Sequence, residues 1–286
     1  MTRTAYVNGE FLPLDQARVP VMDRGFLFAD GIYEVSAVLG GKLVDNAAHL
    51  ARLERSLREI GIRNPHTIEE WTRLETELVA RNDLTEGLVY MEVTRGVAER
   101  DFACPPADTP PTVVMFTQVK RIVDNPLAQS GARVVTVEDL RWKRRDIKSV
   151  ALLAQVLAKQ QAAQAKAAEA FMVEDGAITE GSSSTVFVVR NDGTILTRPL
   201  STALLPGITR AAVLALAAES GARVEERAIR IEEAYEAAEA FYTSASSFVM
   251  PVVEIDGRKL GDGRPGPIAR RMRELYIAFA EGRMAE

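Results

Sequence analysis

The chain has 286 residues, 47% hydrophobic and 26% charged, which suits two lobes or one large α/β unit and excludes a mainly disordered chain. Its 35 basic and 40 acidic residues give a formal charge of −5, which argues against a nucleic-acid-binding domain. One cysteine, Cys104, rules out an internal disulfide and fits a reducing cytoplasm.

Met1 to Glu10 has no apolar core of the signal-peptide kind. Thr4 to Leu12 predicts a β-hairpin turning at Asn8-Gly9. Ile32 to Leu39 is a short apolar run, and Gly40-Gly41 turns the chain into Lys42 to Val44. Apolar residues at helical spacing predict a helix over Asn46 to Ile60 ending at Gly61, and another over Thr67 to Arg81 with Thr67 as its N-cap. Leu88 to Thr94 and Thr112 to Val119 fit strands. Lys120 to Gly131 loses periodicity, so the expected division is an α/β domain over residues 1–119, a linker over 120–131 and a second domain over 132–286.

In the second domain, Ala132 to Val137 predicts a strand and Val150 to Ala168 a helix. The apolar run Val150 to Ala158, broken by Gln155, is too short to span a bilayer, so no membrane partner is expected. Lys159 to Ala170, rich in alanine and glutamine, fits a surface helix of high propensity. Phe171 to Val173, Thr185 to Val189 and Ala240 to Ser244 fit strands. Thr209 to Ser220, Glu232 to Ala238 and Ile268 to Glu281 fit helices. Strands and helices mix irregularly, so the expected class is α+β or mixed α/β in two lobes. His49 and His66 lack a zinc-site spacing, and no metal is expected.

Five features can carry chemistry. Arg141 to Ser149 clusters basic residues, and its plain reading is a solvated loop. Lys148 differs, because it precedes an apolar run expected to start a helix. Partial desolvation there would lower its pKa and make the amine a usable nucleophile or base. Ile178 to Phe187 places Glu180, a glycine and four hydroxyl residues ahead of an apolar strand. It is either a polar turn or a loop that a ligand can approach. Leu205 to Arg210 opens a helix whose free N–H groups form an anion site, with Gly207 allowing close approach and Thr209 adding a hydroxyl. Thr243 to Ser247 is a second small hydroxyl loop, and Arg52 could balance a phosphate dianion. A nucleophilic amine, a carboxylate, an anion-binding helix start and hydroxyl loops together form the kit for pyridoxal phosphate.

These segments carry a resemblance. Asp23 to Glu34, Asp146 to Ser149, Thr179 to Ser184 and Gly207 to Arg210 resemble, in order and spacing, the signature segments of the class IV (fold-type IV) aminotransferases. The D-amino-acid transaminases look most similar. The resemblance implies a two-lobe fold-type IV enzyme and a homodimer, with 132–286 as the domain that binds pyridoxal 5′-phosphate. It implies that Lys148 forms the aldimine with the cofactor and shuttles the proton between substrate Cα and C4′. Glu180 would pair with the pyridine nitrogen. Arg52, Ile208, Thr209, Ser183 and the loop of Ser244 and Ala245 would hold the cofactor, although Ala245 lies where close relatives carry threonine. Tyr33 and Ser184 would line the substrate pocket.

Substrate choice turns on Arg95 to Phe102. The D-amino-acid transaminases bind the substrate α-carboxylate with an Arg-x-His loop, and here Arg100 falls on the arginine and Phe102 on the histidine. Arg100 keeps a two-pronged donor, whereas Phe102 cannot donate. Otherwise Arg100 would pair with Glu99 or Asp101, and Arg95 is expected to be structural. The implied reaction moves the amino group of D-alanine or D-glutamate to a 2-oxo acid such as pyruvate or 2-oxoglutarate. R-selective amine transaminases, branched-chain aminotransferases and aminodeoxychorismate lyases share the fold and remain alternatives. A binding protein using the Arg141 to Arg145 run is the alternative from another class.

Overall fold

A computed structural model describes residues 3–283. The chain forms two compact units. Unit 1 runs to Arg121 and also takes in Ile147–Ala151; unit 2 comprises Ile122–Asp146 and the residues from Leu152 onward.

In unit 1, β1 (Thr4–Val7) and β2 (Glu10–Pro13) form a hairpin whose turn residues Asn8 and Gly9 both have positive φ. This is the backbone that a two-residue turn needs to match strand twist. After α1 (Arg24–Phe28) come β3 (Gly31–Leu39), β4 (Lys42–Leu43), α2 (Asn46–Glu59), α3 (Ile68–Arg81), β5 (Glu86–Thr94) and β6 (Thr112–Val119). The strands make one antiparallel sheet in the order β2-β1-β6-β5-β3-β4. Leu50, Leu53 and Leu57 of α2 and Trp71, Leu74 and Leu78 of α3 share a core with Ile32, Val38, Met91, Val93 and Met115 of the sheet. Thr67 caps α3 in a full capping box with Glu70. The short α1 lies in a stretch where no helix was expected. Its signal was Asp23, whose carboxylate accepts the Gly25 N–H at 2.8 Å.

Unit 2 opens with α4 (Pro126–Ser130), a one-turn helix inside the aperiodic stretch, capped by Asn125. Then follow β7 (Ala132–Glu138), α5 (Leu153–Gln164), β8 (Glu169–Glu174), β9 (Ala177–Gly181), β10 (Thr185–Val189), β11 (Ile195–Thr197), α6 (Ile208–Glu219), β12 (Val224–Glu226) and β13 (Ile229–Arg230). The chain continues with α7 (Ile231–Tyr235), β14 (Glu239–Ser244), β15 (Phe248–Ile255), β16 (Arg258–Lys259) and α8 (Pro267–Ala280). The sheet runs β12-β11-β10-β14-β15-β7-β8-β9-β13, with β16 on β15. It is mixed: β11/β12, β15/β7 and β7/β8 pair parallel, and the other pairs are antiparallel.

Three expectations change. The helix expected from Val150 starts at Leu153 and ends at Gln164, so Lys148 does not stand at a helix mouth. Glu180 lies on a fully buried strand rather than in a polar turn. Strand β15 escaped notice because Pro251 interrupts its pattern; the residues that pair with β7 begin one position later, at Val252.

Candidate active site

Lys148 belongs to unit 1 because its neighbours dock on β3. The Tyr33 N–H donates to the Lys148 carbonyl and the Val150 N–H to the Gly31 carbonyl, each at 3.0 Å, and Ser149 bridges Ile32. Ile147 anchors this short edge in the unit 1 core. The Lys148 ammonium lies 4.0 Å from the centroid of the Tyr33 ring. Tyr33 stacks on Tyr90 at 5.7 Å, and the Tyr90 hydroxyl donates to Glu92 at 2.7 Å. The lysine is therefore held over a stacked pair of tyrosine rings. Burial, aided by the charge of Glu92, raises the Tyr90 pKa, so its hydroxyl stays protonated. Tyr90 and Glu92 had no sequence signal beyond strand periodicity.

Arg52 is buried on α2. Its Nε and Nη2 each donate to one oxygen of Glu34 at 2.8 Å, and His49 meets the same carboxylate at 2.9 Å. Burial opposes the Glu34 charge, but Arg52 and His49 outweigh it and hold the carboxyl well below the usual range. One turn beyond Arg52, the Ser56 hydroxyl accepts the Lys148 N–H at 3.4 Å. Arg95 is structural: it grips Asp30 and donates to the carbonyls of Ile60 and Gly61. Arg100 is exposed and pairs with neither Glu99 nor Asp101 among the described contacts. Its guanidinium lies over the rings of Phe28 and Phe102.

In unit 2, Glu180 is completely enclosed. Arg141 donates to its Oε1, and the Leu205 N–H reaches its two oxygens at 3.2 and 3.3 Å. Burial pushes the Glu180 carboxyl above the usual range, while Arg141 and the Leu205 N–H pull it back toward the charged form. Arg141 is shared with Asp139 through Nε at 2.9 Å and Nη2 at 2.7 Å, and Thr179 donates to Asp139 at 2.6 Å. Arg145 closes the cluster on Asp139 at 3.3 Å and on Glu174 at 2.8 Å. The Arg141 to Arg145 stretch is thus a loop that is solvated only in part, with Trp142 and Lys143 exposed and its two outer arginines held in salt bridges. Its Arg141 and Arg145 are buried because three carboxylates from neighbouring segments neutralise them. Arg141 is a functional candidate that the sequence reading missed.

The remaining candidates in unit 2 converge on one corner. Leu205, bound to Glu180, leads to Gly207, the N-cap of α6. A Cβ on Gly207 would lie 2.7 Å from the Thr185 hydroxyl, and Thr185 stands opposite Thr243 in the β10/β14 pairing. The helix start carrying Ile208 and Thr209 therefore reaches the β14 end, where Ser244 shares hydroxyl contacts with Ser246 at 3.3 Å and Ser247 at 2.7 Å. Ala245 is half-buried in the same turn.

Two observations test whether this corner suits a phosphorylated pyridine. No side chain caps α6, which leaves its first N–H groups for another acceptor. The Thr243 hydroxyl is buried without a partner. Donors lacking an acceptor beside a buried carboxylate fit a group with an anionic end and a basic nitrogen.

The serines after Glu180 have a different organiser. Glu169, buried on β8, accepts from the hydroxyls of Ser182, Ser183 at 3.3 Å and Ser184 at 3.2 Å, and Lys159 lies 3.1 Å from it. Ser183 is exposed and Ser184 buried. Sequence spacing gave no hint of Glu169. Among the described residues no His, Cys, Asp and Glu cluster could hold a metal. No helix there is long and apolar enough to cross a membrane.

Comparison with known proteins adds to this geometry. Residues 31–255 match the family Amino-transferase class IV. A D-alanine aminotransferase of Staphylococcus aureus (strain MSSA476) is 38% identical over 278 residues, covering 96% of this chain and 97% of that protein. A D-alanine aminotransferase of Bacillus licheniformis is 38% identical over 265 residues, covering 93% of each chain. Among solved structures, the T.th. branched-chain amino acid aminotransferase with pyridoxamine 5′-phosphate superposes with a TM-score of 0.92 at 26% identity, covering 99% of this chain and 96% of that one. The branched-chain aminotransferase of Thermoproteus uzoniensis with norvaline gives 0.87, also at 26%, covering 99% and 96%.

Proposed function

The chain belongs to the class IV aminotransferases, and from that premise we propose that it is a pyridoxal 5′-phosphate-dependent D-amino-acid transaminase. It takes the amino group of D-alanine or D-glutamate and passes it to a 2-oxo acid. The relatives named D-alanine aminotransferase support the substrate class, with coverage of nearly the whole chain. The carrying observation is the unit 2 corner, where a buried carboxylate, an uncapped helix start and hydroxyl donors meet.

Bound pyridoxal phosphate supplies the electron sink that makes loss of the Cα proton feasible. The protein's residues do the rest. Lys148 Nζ would hold the cofactor covalently and then carry the proton to and from the substrate Cα. Its place over the Tyr33 ring restrains the amine on one side. Glu180 would accept a hydrogen bond from the ring nitrogen and keep it protonated, with Arg141 sustaining the charge on Glu180. Arg52, Ile208, Thr209, Ser244 and the backbone at Ala245 would bind the phosphate, with Ser183 beside the ring. Tyr33, Ser184, Arg100 and Phe102 would bound the substrate, Arg100 through its α-carboxylate.

A homodimer fits the α5 surface, where Leu153, Val156 and Leu157 are 71%, 58% and 47% exposed and stand together as a group of apolar side chains that a second copy could cover. A cytoplasmic location fits the lone Cys104. The test is purified protein given D-alanine and 2-oxoglutarate. Pyruvate should form, and Lys148→Ala should abolish both its formation and the yellow colour. Reaction with branched L-amino acids and none with D-alanine refutes the substrate assignment.

A further inference from the structure

The Arg100 loop carries an arrangement that the loss of the histidine makes informative. Arg100 has two acidic neighbours, Glu99 and Asp101, and pairs with neither among the described contacts. Instead its guanidinium carbon lies 5.3 Å from the centroid of Phe28 and 5.7 Å from that of Phe102. The two rings touch each other with centroids 5.5 Å apart. Phe28 closes α1, and its own position is fixed. Arg24, one turn earlier and buried, lies 4.7 Å from the same ring. Arg24 in turn donates to Asp30 at 2.8 Å and to the Asp101 carbonyl at 2.7 Å, so one side chain pins both the helix and the loop. The Arg24 N–H to the Gly96 carbonyl at 2.9 Å and the Asp23–Val97 bridge complete the attachment.

A guanidinium can spend its face and its edge separately. Aromatic rings bind the face, whereas a carboxylate binds the N–H groups around the edge. A pair with Glu99 or Asp101 would consume that edge. The ring contacts restrain the arginine and leave the edge for a ligand.

We propose that Phe28 is a positioning residue for substrate carboxylate binding, with Phe102 as its partner ring: together they hold Arg100 by its face so that its N–H edge meets the α-carboxylate. Phe102 then replaces the donor that a histidine would offer with restraint of the remaining donor. The proposal rests on the reading of Arg100 as the carboxylate binder. It implies a substrate site that recognises the carboxylate through one arginine.

A double-mutant cycle tests this in the holoenzyme, with Phe28→Leu and Arg100→Met singly and together, and Phe28→Trp as the conservative variant. Exposed cation–π contacts predict a rise of about two- to fivefold in the KM for D-alanine with Phe28→Leu. Its kcat should be unchanged, and Phe28→Trp should restore the KM. Propionate, a carboxylate without the amino group, should inhibit Phe28→Leu more weakly by the same factor. In the Arg100→Met background, Phe28→Leu should change neither constant. An equal loss in both backgrounds means that Phe28 supports the fold and not Arg100, and overturns the proposal, as does a fall in kcat alone. If Arg100→Met itself leaves the KM and propionate inhibition unchanged, the carboxylate reading of Arg100 fails and the proposal falls with it. A normal response to Phe28→Leu beside a large effect of Arg100→Met overturns the proposal alone.

Discussion

Glu75 gives the sharpest physical prediction. It sits on α3 with 1% exposure, beside the polar side chains of Asn46 and Ser36, and has one carboxyl oxygen, Oε2, without a partner. Burial, reinforced by the charge on Glu34, raises its pKa from 4.5 to about 8. Between those values the folded protein holds a proton that the unfolded chain has lost. Stability therefore falls as pH rises from about 5 to 8 and levels off above, because there both states are charged. At about 1.4 kcal/mol per pH unit the displacement amounts to about 5 kcal/mol, an upper figure since water entry would relieve part of it. Glu75→Gln keeps the shape and a polar group beside Asn46 and Ser36 while removing the titration. Its advantage over the wild type should be small, about 1 kcal/mol, at pH 5.5 and reach its full size by pH 8.5. At about 2–4 °C per kcal/mol, the upper figure corresponds to a gain in Tm at the higher pH of about 10–20 °C. Thermal unfolding of both proteins across this range is the assay, and the difference between them cancels the other titrating groups. Parallel curves would show that Glu75 is not a buried neutral acid and refute the reasoning.

Four further substitutions probe the residues of unit 2. Arg141→Met removes the partner that keeps Glu180 charged, and losing a charge-assisted hydrogen bond to the cofactor should weaken pyridoxal phosphate binding about ten- to a hundredfold. Titrating apoenzyme with pyridoxal phosphate by fluorescence measures this, and unchanged affinity would count against Arg141. Gly207→Ala places a Cβ 2.7 Å from the Thr185 hydroxyl and 3.2 Å from the Arg210 Cβ without backbone strain. It should cost about 1–3 kcal/mol of stability by overpacking and lower cofactor affinity as the helix start shifts; a wild-type Tm with unchanged affinity contradicts it. Glu169→Ala strips the common acceptor from three serine hydroxyls and should destabilise the protein by about 2–3 kcal/mol. Lys159→Met, whose ammonium is about half exposed, should change stability by under about 1 kcal/mol. Equal effects in denaturant unfolding would reverse this ranking.

Much of the fold was legible because local rules agreed with tertiary ones. The α2 and α3 periodicities, the Thr67 N-cap and the Asn8-Gly9 hairpin each specify structure within a few residues. The failures share a cause. Val150 to Leu152 look like a helix start, but the segment just before them is claimed by β3, whose Gly31 and Tyr33 take its backbone hydrogen bonds. Pro251 makes β15 look broken, although its pairing with β14 runs through that residue. In the first place a partner distant in sequence overrode the local pattern, and in the second the neighbouring strand β14 did.

The chemistry was legible to a similar depth. Lys148 stood out for an apolar run taken as a helix, whereas the structure restrains it by a strand edge and the Tyr33 ring. The carboxylates show why the rest was hidden. Glu34, Glu75 and Glu180 are all buried, yet their environments send them in different directions. Glu34 has Arg52 and His49 on it and stays charged. Glu75 has only neutral donors and a neighbouring anion, and holds its proton. Glu180 lies between these cases, because its single arginine is shared with Asp139. The partners come from positions up to 39 residues away in the chain, so the sequence around each glutamate does not carry its charge state. For Glu180 that sharing matters most. An arginine devoted to it alone would offset its negative charge more fully and weaken its hold on a protonated ring nitrogen. Asp139 takes up part of the positive charge, which would leave Glu180 enough basicity for the proposed hold on a protonated ring nitrogen while Arg141 keeps the carboxylate in place.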